Sequence, residues 1–242
     1  MSKLYTLITG GTSGIGLETA KRLISKGESV ILTGRDQSKV DQVAGELGCL
    51  GIVADSGNID DIRALANTLK RQQVQLSGLV LNAGIFVPES FTDTTAQVFD
   101  QTLAVNTKGP LFTLQALLPL MCNPSSVVFV SSIVVSRGFQ GCTAYAASKA
   151  AGEAIVRVAN MELADQGIRV NIVRPGVTKT PIQEKAGMDD AQKQALFSSL
   201  STTPLGRVLN CDDQARAIEF LLSDNSLAMR NAVLEVEGGY LL

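Results

Sequence analysis

An open, parallel α/β sheet with helices on both faces is the fold class predicted by three features of this 242-residue chain. Short runs rich in Val, Ile and Leu alternate with longer segments whose apolar residues recur every three or four positions, the pattern of a strand-helix-strand crossover sheet. The strand runs are almost continuously apolar, as suits strands covered on both faces. No internal repeat, low-complexity tract or Pro/Gly/Ser-rich linker divides the chain, so residues 1–242 are expected to form one domain around a core that the 45% hydrophobic content can fill.

Seven strands are expected, from "LYTLIT" (4–9), "SVILTG" (29–34), "LGIVAD" (50–55), "GLVLNA" (78–83), "SVVFVSS" (126–132), "IRVNIVRPG" (168–176) and "AVLEVEGG" (232–239). Between them, "IGLETAKRLISKG", "IDDIRALANTLKRQQ", "AQVFDQTLAVNTKGPLFTLQALLPLM", "YAASKAAGEAIVRVANMELADQG" and "DDQARAIEFLLSD" carry apolar residues at helical intervals. The stretch 177–210 is less regular and reads as an insertion before the last helix and strand.

Composition narrows the function. A net charge of -2 with scattered Lys and Arg gives no basic field for nucleic acid. Cys49, Cys122, Cys142 and Cys211 form no CxxC pair, and without histidine a metal site is not expected; reduced thiols in a cytoplasmic protein are. The first residues enter an apolar run with no basic leader, and no apolar run approaches the roughly 18 residues of a membrane span, so a soluble, unsecreted chain is expected.

The first strand runs directly into "TGGTSGIG" (9–16) and then into a helix. Glycine at that turn lets backbone approach a pyrophosphate, and the helix N-terminus favours its charge. Tight turns and other nucleotide sites use glycine as well, so the turn needs partners. They stand at the carboxyl ends of later strands: Asp55, Asn82-Ala83-Gly84, Ser132, and "RPGVTKT" (174–180). Each alone suits a cap or a turn. Together on one rim, followed by Tyr145 and Lys149, they mark a ligand site.

In combination these residues resemble the single-domain branch of the short-chain dehydrogenase/reductase family, with its Rossmann-like doubly wound sheet. The family's marks are a TGxxxGIG turn, NAG, a catalytic Asn, a Ser before YxxxK, and a PG turn. Here they correspond to Thr9 to Gly16, Asn82 to Gly84, Asn106, Ser132, Tyr145 with Lys149, and Pro175-Gly176. The likeness continues through 204–224 and "VEGG" (236–239), so it spans essentially the whole chain. Leu81 departs from it, where many relatives carry a second Asn.

The resemblance implies an oxidoreductase that interconverts a carbonyl and a secondary alcohol on a small molecule. It puts the cofactor against Gly10, Thr12, Ser13, Gly14, Ile15 and Gly16 in the first turn. Further contacts fall on Arg35, Asp55, Ser56 and Asn82 to Gly84, on Tyr145 and Lys149, and on Pro175, Gly176, Thr178 and Thr180. Tyr145 would exchange the proton, Ser132 would bond the substrate oxygen, Lys149 would tune the phenol and hold the nicotinamide ribose, and Asn106 would anchor a water. A homotetramer or homodimer through 95–120 and 145–165 is also implied. The alternatives are a 3-oxoacyl-carrier-protein reductase and a catalytically idle dinucleotide sensor or assembly protein. The absence of Lys and Arg from 83–107 counts against docking an acidic carrier, and a pure binder has no use for Ser132.

Tyr145 and Lys149, four apart on a helix, share a face. A free phenol titrates near pH 10, so proton exchange at neutral pH asks for roughly 4 kcal/mol in favour of its anion; one ammonium at about 4 Å and an effective dielectric of about 20 supplies about 4 kcal/mol. That contact is the expected device. Cofactor choice rests on "LTGRD" (32–36), where Gly34 occupies the position at which an acidic residue would favour NAD, and Arg35 follows, which favours NADP. A register shift placing Asp36 at the ribose would reverse the preference. Residues 182–204 are expected to cover the substrate, with Ile182, Met188, Leu196, Phe197 and Leu200 as an apolar lining beside Phe86, Ile133, Val134 and Gln140.

Overall fold

The computed structural model describes residues 3–242. Its framework is one seven-stranded sheet: β1 (Leu4–Ile8), β2 (Ser29–Gly34), β3 (Leu50–Val53), β4 (Gln75–Leu81), β5 (Met121–Val130), β6 (Ile168–Pro175) and β7 (Val233–Val236). The order is β3-β2-β1-β4-β5-β6-β7, and every neighbouring pair is parallel. The order reverses between β1 and β4, which opens a crevice at their carboxyl ends.

The continuous apolar runs are explained by burial on both sides. Leu7, Ile31, Leu79, Val127, Phe129 and Ile172 face one core, shared with Leu65 and Leu69 of α3 (Ile59–Arg71), Leu117 of α5 (Gly109–Leu117) and Val156 of α6 (Thr143–Glu162). Their neighbours Ile8, Val30, Val80, Val128 and Val173 face the other, closed by Ala20 and Leu23 of α1 (Gly14–Ser25) and by Ile218 and Leu221 of α9 (Cys211–Leu222). Arg22 and Lys26 meeting Glu219 bind α1 to α9 at their edge.

Three details differ from the sequence expectation. An eleven-residue helix, α2 (Gln37–Leu47), lies in a segment assigned no element; Asp36 caps it by accepting from the Lys39 amide, Gly48 ends it in the left-handed conformation, and Val40 and Val43 bury against Leu32. The long helical segment from 96 breaks into α4 (Ala96–Leu103), a π-helical turn (Ala104–Lys108) and α5, and its last residue, Met121, already belongs to β5. Asp55 and Ser132 stand two residues beyond their strands, because β3 ends at Val53 and β5 at Val130.

Candidate active site

The glycine turn is held from beneath by the loop after β4. Thr9 Oγ1 donates to the Val80 carbonyl at 3.2 Å and accepts from the amides of Asn82 and Ala83 at 3.0 and 3.1 Å. Asn82 Nδ2 returns bonds to the carbonyls of Thr9 and Gly10 at 2.9 and 3.2 Å. A Cβ on Gly16 would lie 2.5 Å from that amide nitrogen and 2.7 Å from the Gly10 carbonyl oxygen, so α1 can begin here only on a glycine. Gly10 and Gly14 turn the chain at positive φ, and Ser13 makes no side-chain capping bond, which leaves the first amides of α1 without a side-chain acceptor. That arrangement fits a pyrophosphate, so the residues present suit a dinucleotide.

A cavity of about 490 Å³ runs along this edge. All the site residues expected from the sequence line it except Gly16 and Asn106. Gly16 lies under the turn, packed on Asn82. Asn106 is fully buried in the π-helical turn, where its Oδ1 accepts from the Ile85 amide at 2.8 Å and its Nδ2 donates to the Ile85 carbonyl and Ser148 Oγ at 2.9 and 3.0 Å. Its side chain pins the loop after Gly84 to α6.

The helix α6 delivers the reactive face. Gly152 lets it settle on the sheet, since a Cβ there would sit 2.4 Å from Phe129 Cζ. Tyr145 keeps part of its surface toward the cavity, with its ring 5.1 Å from that of Phe86, and its phenol lies close to Ser132. Lys149 is buried and donates to the Val130 carbonyl at 2.8 Å, its Nζ 5.8 Å from the Tyr145 ring centroid. Lys149 makes its hydrogen bond to Val130 and none to the Tyr145 phenol. Burial dominates both groups: it pushes the Tyr145 phenol up to about 12 against the opposing effect of Ser132, and the Lys149 ammonium down to about 8 against the charge of Glu153.

Several residues that shape the site carried no sequence signal. Glu153, buried, accepts from Ser131 Oγ at 2.6 Å and from Arg174 Nε and Nη2 at 2.8 and 2.7 Å, which joins α6 to the ends of β5 and β6. Thr178 Oγ1 is held by Gln214 at 3.1 Å and its carbonyl by Gln183 at 2.8 Å. Phe139 and Tyr240, stacked at 5.9 Å, complete one wall. Of the expected apolar cover, Ile182, Met188 and Leu196 line the cavity, while Leu200 is buried and Phe197 lies outside it. At the far end Arg35 lines the cavity with no ion pair within 4 Å among the described residues. Asp36 is turned to α2, its Oδ1 accepting from Ser38 Oγ and the Lys39 amide at 2.7 and 2.8 Å.

A doubly wound sheet whose switch-point crevice holds a dinucleotide cradle and a Ser-Tyr-Lys face defines a class, the nicotinamide-type oxidoreductases. Comparison with known proteins narrows it. A family model described as enoyl-(acyl carrier protein) reductase matches residues 10–241. The human dehydrogenase/reductase SDR family member 4 is 33% identical over 99% of this chain and 88% of its own length. An NADP-dependent (R)-specific alcohol dehydrogenase of Lentilactobacillus kefiri is 31% identical over 97% of this chain and 95% of its own. An NADPH-bound short-chain oxidoreductase from Pseudomonas aeruginosa PAO1 superposes with a TM-score of 0.89 at 28% identity, covering 99% of this chain and 98% of that one. The chain belongs to the short-chain dehydrogenase/reductase family and is an oxidoreductase.

Proposed function

We propose that this protein is an NADP-dependent oxidoreductase that interconverts a carbonyl and a secondary alcohol on a small, largely apolar molecule, with Tyr145 as the acid/base. The observation that carries the proposal is that Ser132, Tyr145 and Lys149 line one end of a single cavity whose other end presents Arg35, without an ion pair among the described residues. The nicotinamide, when bound, supplies or takes up the hydride.

The rest falls to the chain's own groups. With its phenol at about 12, Tyr145 is protonated at neutral pH and suits the reductive direction, donating its Oη proton to the carbonyl oxygen while Ser132 Oγ donates a second hydrogen bond to it. Lys149 holds a positive charge beside them and suits the ribose hydroxyls. For oxidation the phenol must lose its proton, and the positive charges of Lys149 and of the oxidised ring act in that direction. The Asn106 side chain is spent on Ile85 and Ser148 and fixes the loop after Gly84, and the residue keeps its proposed role of anchoring a water on the proton path.

Support for NADP comes from Arg35, free to meet a phosphate, and from Asp36, whose carboxylate is engaged in capping α2 instead of accepting from the ribose. Residues 182–204 serve as the cover, and Phe86, Ile133, Val134, Met188 and Leu196 favour an apolar substrate body. The assembly we favour is a homotetramer or homodimer through 95–120 and 145–165, where Val158 and Met161 of α6 are 52% and 81% exposed. A cytoplasmic location accords with four free cysteines. A screen of purified protein for NADPH oxidation with mixed ketones and aldehydes tests the function; no turnover across the panel, with NADPH bound, would favour an idle binder.

A further inference from the structure

The segment after β6 does more than border the substrate. Its root crosses the glycine turn: a Cβ on Gly14 would lie 3.5 Å from Thr180 and 3.8 Å from Pro181. Pro181 then starts the short helix α7 (Ile182–Lys185), and the chain carries Lys185 to the adenosine end of the cavity, which it lines together with Thr12, Gly34 and Arg35. Lys39, on the first turn of α2, stands nearby. Partial burial first, then the charges of Lys39 and Arg35, hold the Lys185 ammonium below the ordinary lysine range, opposed by Glu184.

Among the described residues none of these three cations has a carboxylate within 4 Å. Some cations elsewhere are paired. Arg22 and Lys26 meet Glu219, Arg174 meets Glu153 and Glu235, and Lys193 of α8 (Asp190–Ser199) meets Asp190. Asp36, next to Arg35 in the chain, caps α2 by accepting hydrogen bonds from Ser38 and Lys39. Three cations with no carboxylate in ion-pair reach are mutually repulsive, Glu184 offsetting Lys185 only in part, and a phosphate monoester with its charge of about −1.5 to −2 would relieve that repulsion.

We infer that Lys185, Arg35 and Lys39 together form the seat of the cofactor's 2′-phosphate, and that Lys185, because it rides on the substrate cover, couples closure of that cover to NADP in preference to NAD. The inference rests on the NADP reading above and adds the flap to it. Arg35 and Lys39 belong to the sheet edge and α2, which discriminate without moving; Lys185 belongs to the cover, whose root at Thr180 and Pro181 already packs on the glycine turn, so its bond to the phosphate holds 182–187 over the cavity.

The test uses adenosine 2′,5′-bisphosphate and AMP as probes, titrated calorimetrically into the parent, Lys185→Ala, Lys185→Arg and Arg35→Ala. Hydrogen exchange of 182–204 is followed in parallel with NADPH and with NADH. The parent should bind the bisphosphate more tightly than AMP. Lys185→Ala should weaken the bisphosphate by about tenfold, as loss of one charge-assisted bond does, and leave AMP within about twofold; Lys185→Arg should restore the affinity. NADPH should slow exchange in 182–187 beyond what NADH does, and Lys185→Ala should abolish that difference. If Lys185→Ala keeps the parent's affinity and protection while Arg35→Ala loses them, the flap lysine has no such role and the NADP reading survives. If the parent itself does not distinguish the bisphosphate from AMP, both fall.

Discussion

Replacing Lys149 with Met should make this protein more stable and abolish its usefulness as a catalyst. Burial brings the ammonium from an ordinary 10.5 down to about 8, so at pH 7 the folded protein holds a charge whose desolvation costs about 3 kcal/mol. Met keeps most of the volume and removes the charge. It also removes the 2.8 Å hydrogen bond from the charged ammonium to the Val130 carbonyl, worth about 2 kcal/mol, which leaves a net gain of about 1 kcal/mol. For a chain of this length that raises Tm by roughly 2–4 °C. The sign with pH follows from the depressed value. Between about 8 and 10.5 the unfolded chain holds the proton more firmly than the folded one, so the parent's stability rises with pH through this window and its penalty is fully present only below it. The advantage of Lys149→Met should therefore be largest near pH 7 and vanish by about pH 10.5. Thermal unfolding of cofactor-free parent and variant across this range measures it. A variant less stable than the parent at pH 7, or a difference that ignores pH, would refute the claim that a desolvated charge is being held at the site.

Other perturbations separate structural from functional roles. Asp36→Ala should cost about 1 kcal/mol through the lost cap of α2 and leave cofactor preference unchanged; a swing toward NADP on this change would show the carboxylate at the ribose after all. Arg35→Ala should erase most of a preference for NADPH over NADH of about 30- to 150-fold, chiefly through the NADPH specificity constant, as read from steady-state kinetics with both cofactors. Gly152→Ala drives a methyl group toward Phe129 and should destabilise by about 1–3 kcal/mol in urea unfolding, with kcat falling as α6 is lifted from the sheet. Light scattering at micromolar concentration should give a mass above that of a 25.5 kDa monomer.

The sheet was legible because burial on two faces leaves a local trace: adjacent residues such as Leu7 and Ile8, or Leu79 and Val80, serve opposite cores, and the run turns continuously apolar. The helix α2 left a fainter one. Its signals, Asp36 before it, Gly48 after it and Val40, Val43 and Ala44 on one side, were present but sparse among polar residues. The ligand-facing rim was readable because its members fall at strand ends. What they bond to was not. Asn106 meets Ile85 and Ser148 only because the helix swells into a π-turn, and Glu153 meets Arg174 across two elements. Helical spacing put Tyr145 and Lys149 on one face, yet it could not reveal that the ammonium turns to Val130 and that burial, more than mutual attraction, sets both groups. Nor could it bring Lys185 to Arg35, a neighbourhood made by the chain's return over the first turn.

The most direct test of the central claim is Tyr145→Phe on an identified substrate. The ring and its contact with Phe86 remain, and only the Oη beside Ser132 is lost. Turnover should fall by at least two orders of magnitude while the Kd for NADPH stays within about twofold of the parent's. Turnover near the parent rate with the phenol removed would contradict the assignment of the proton to Tyr145.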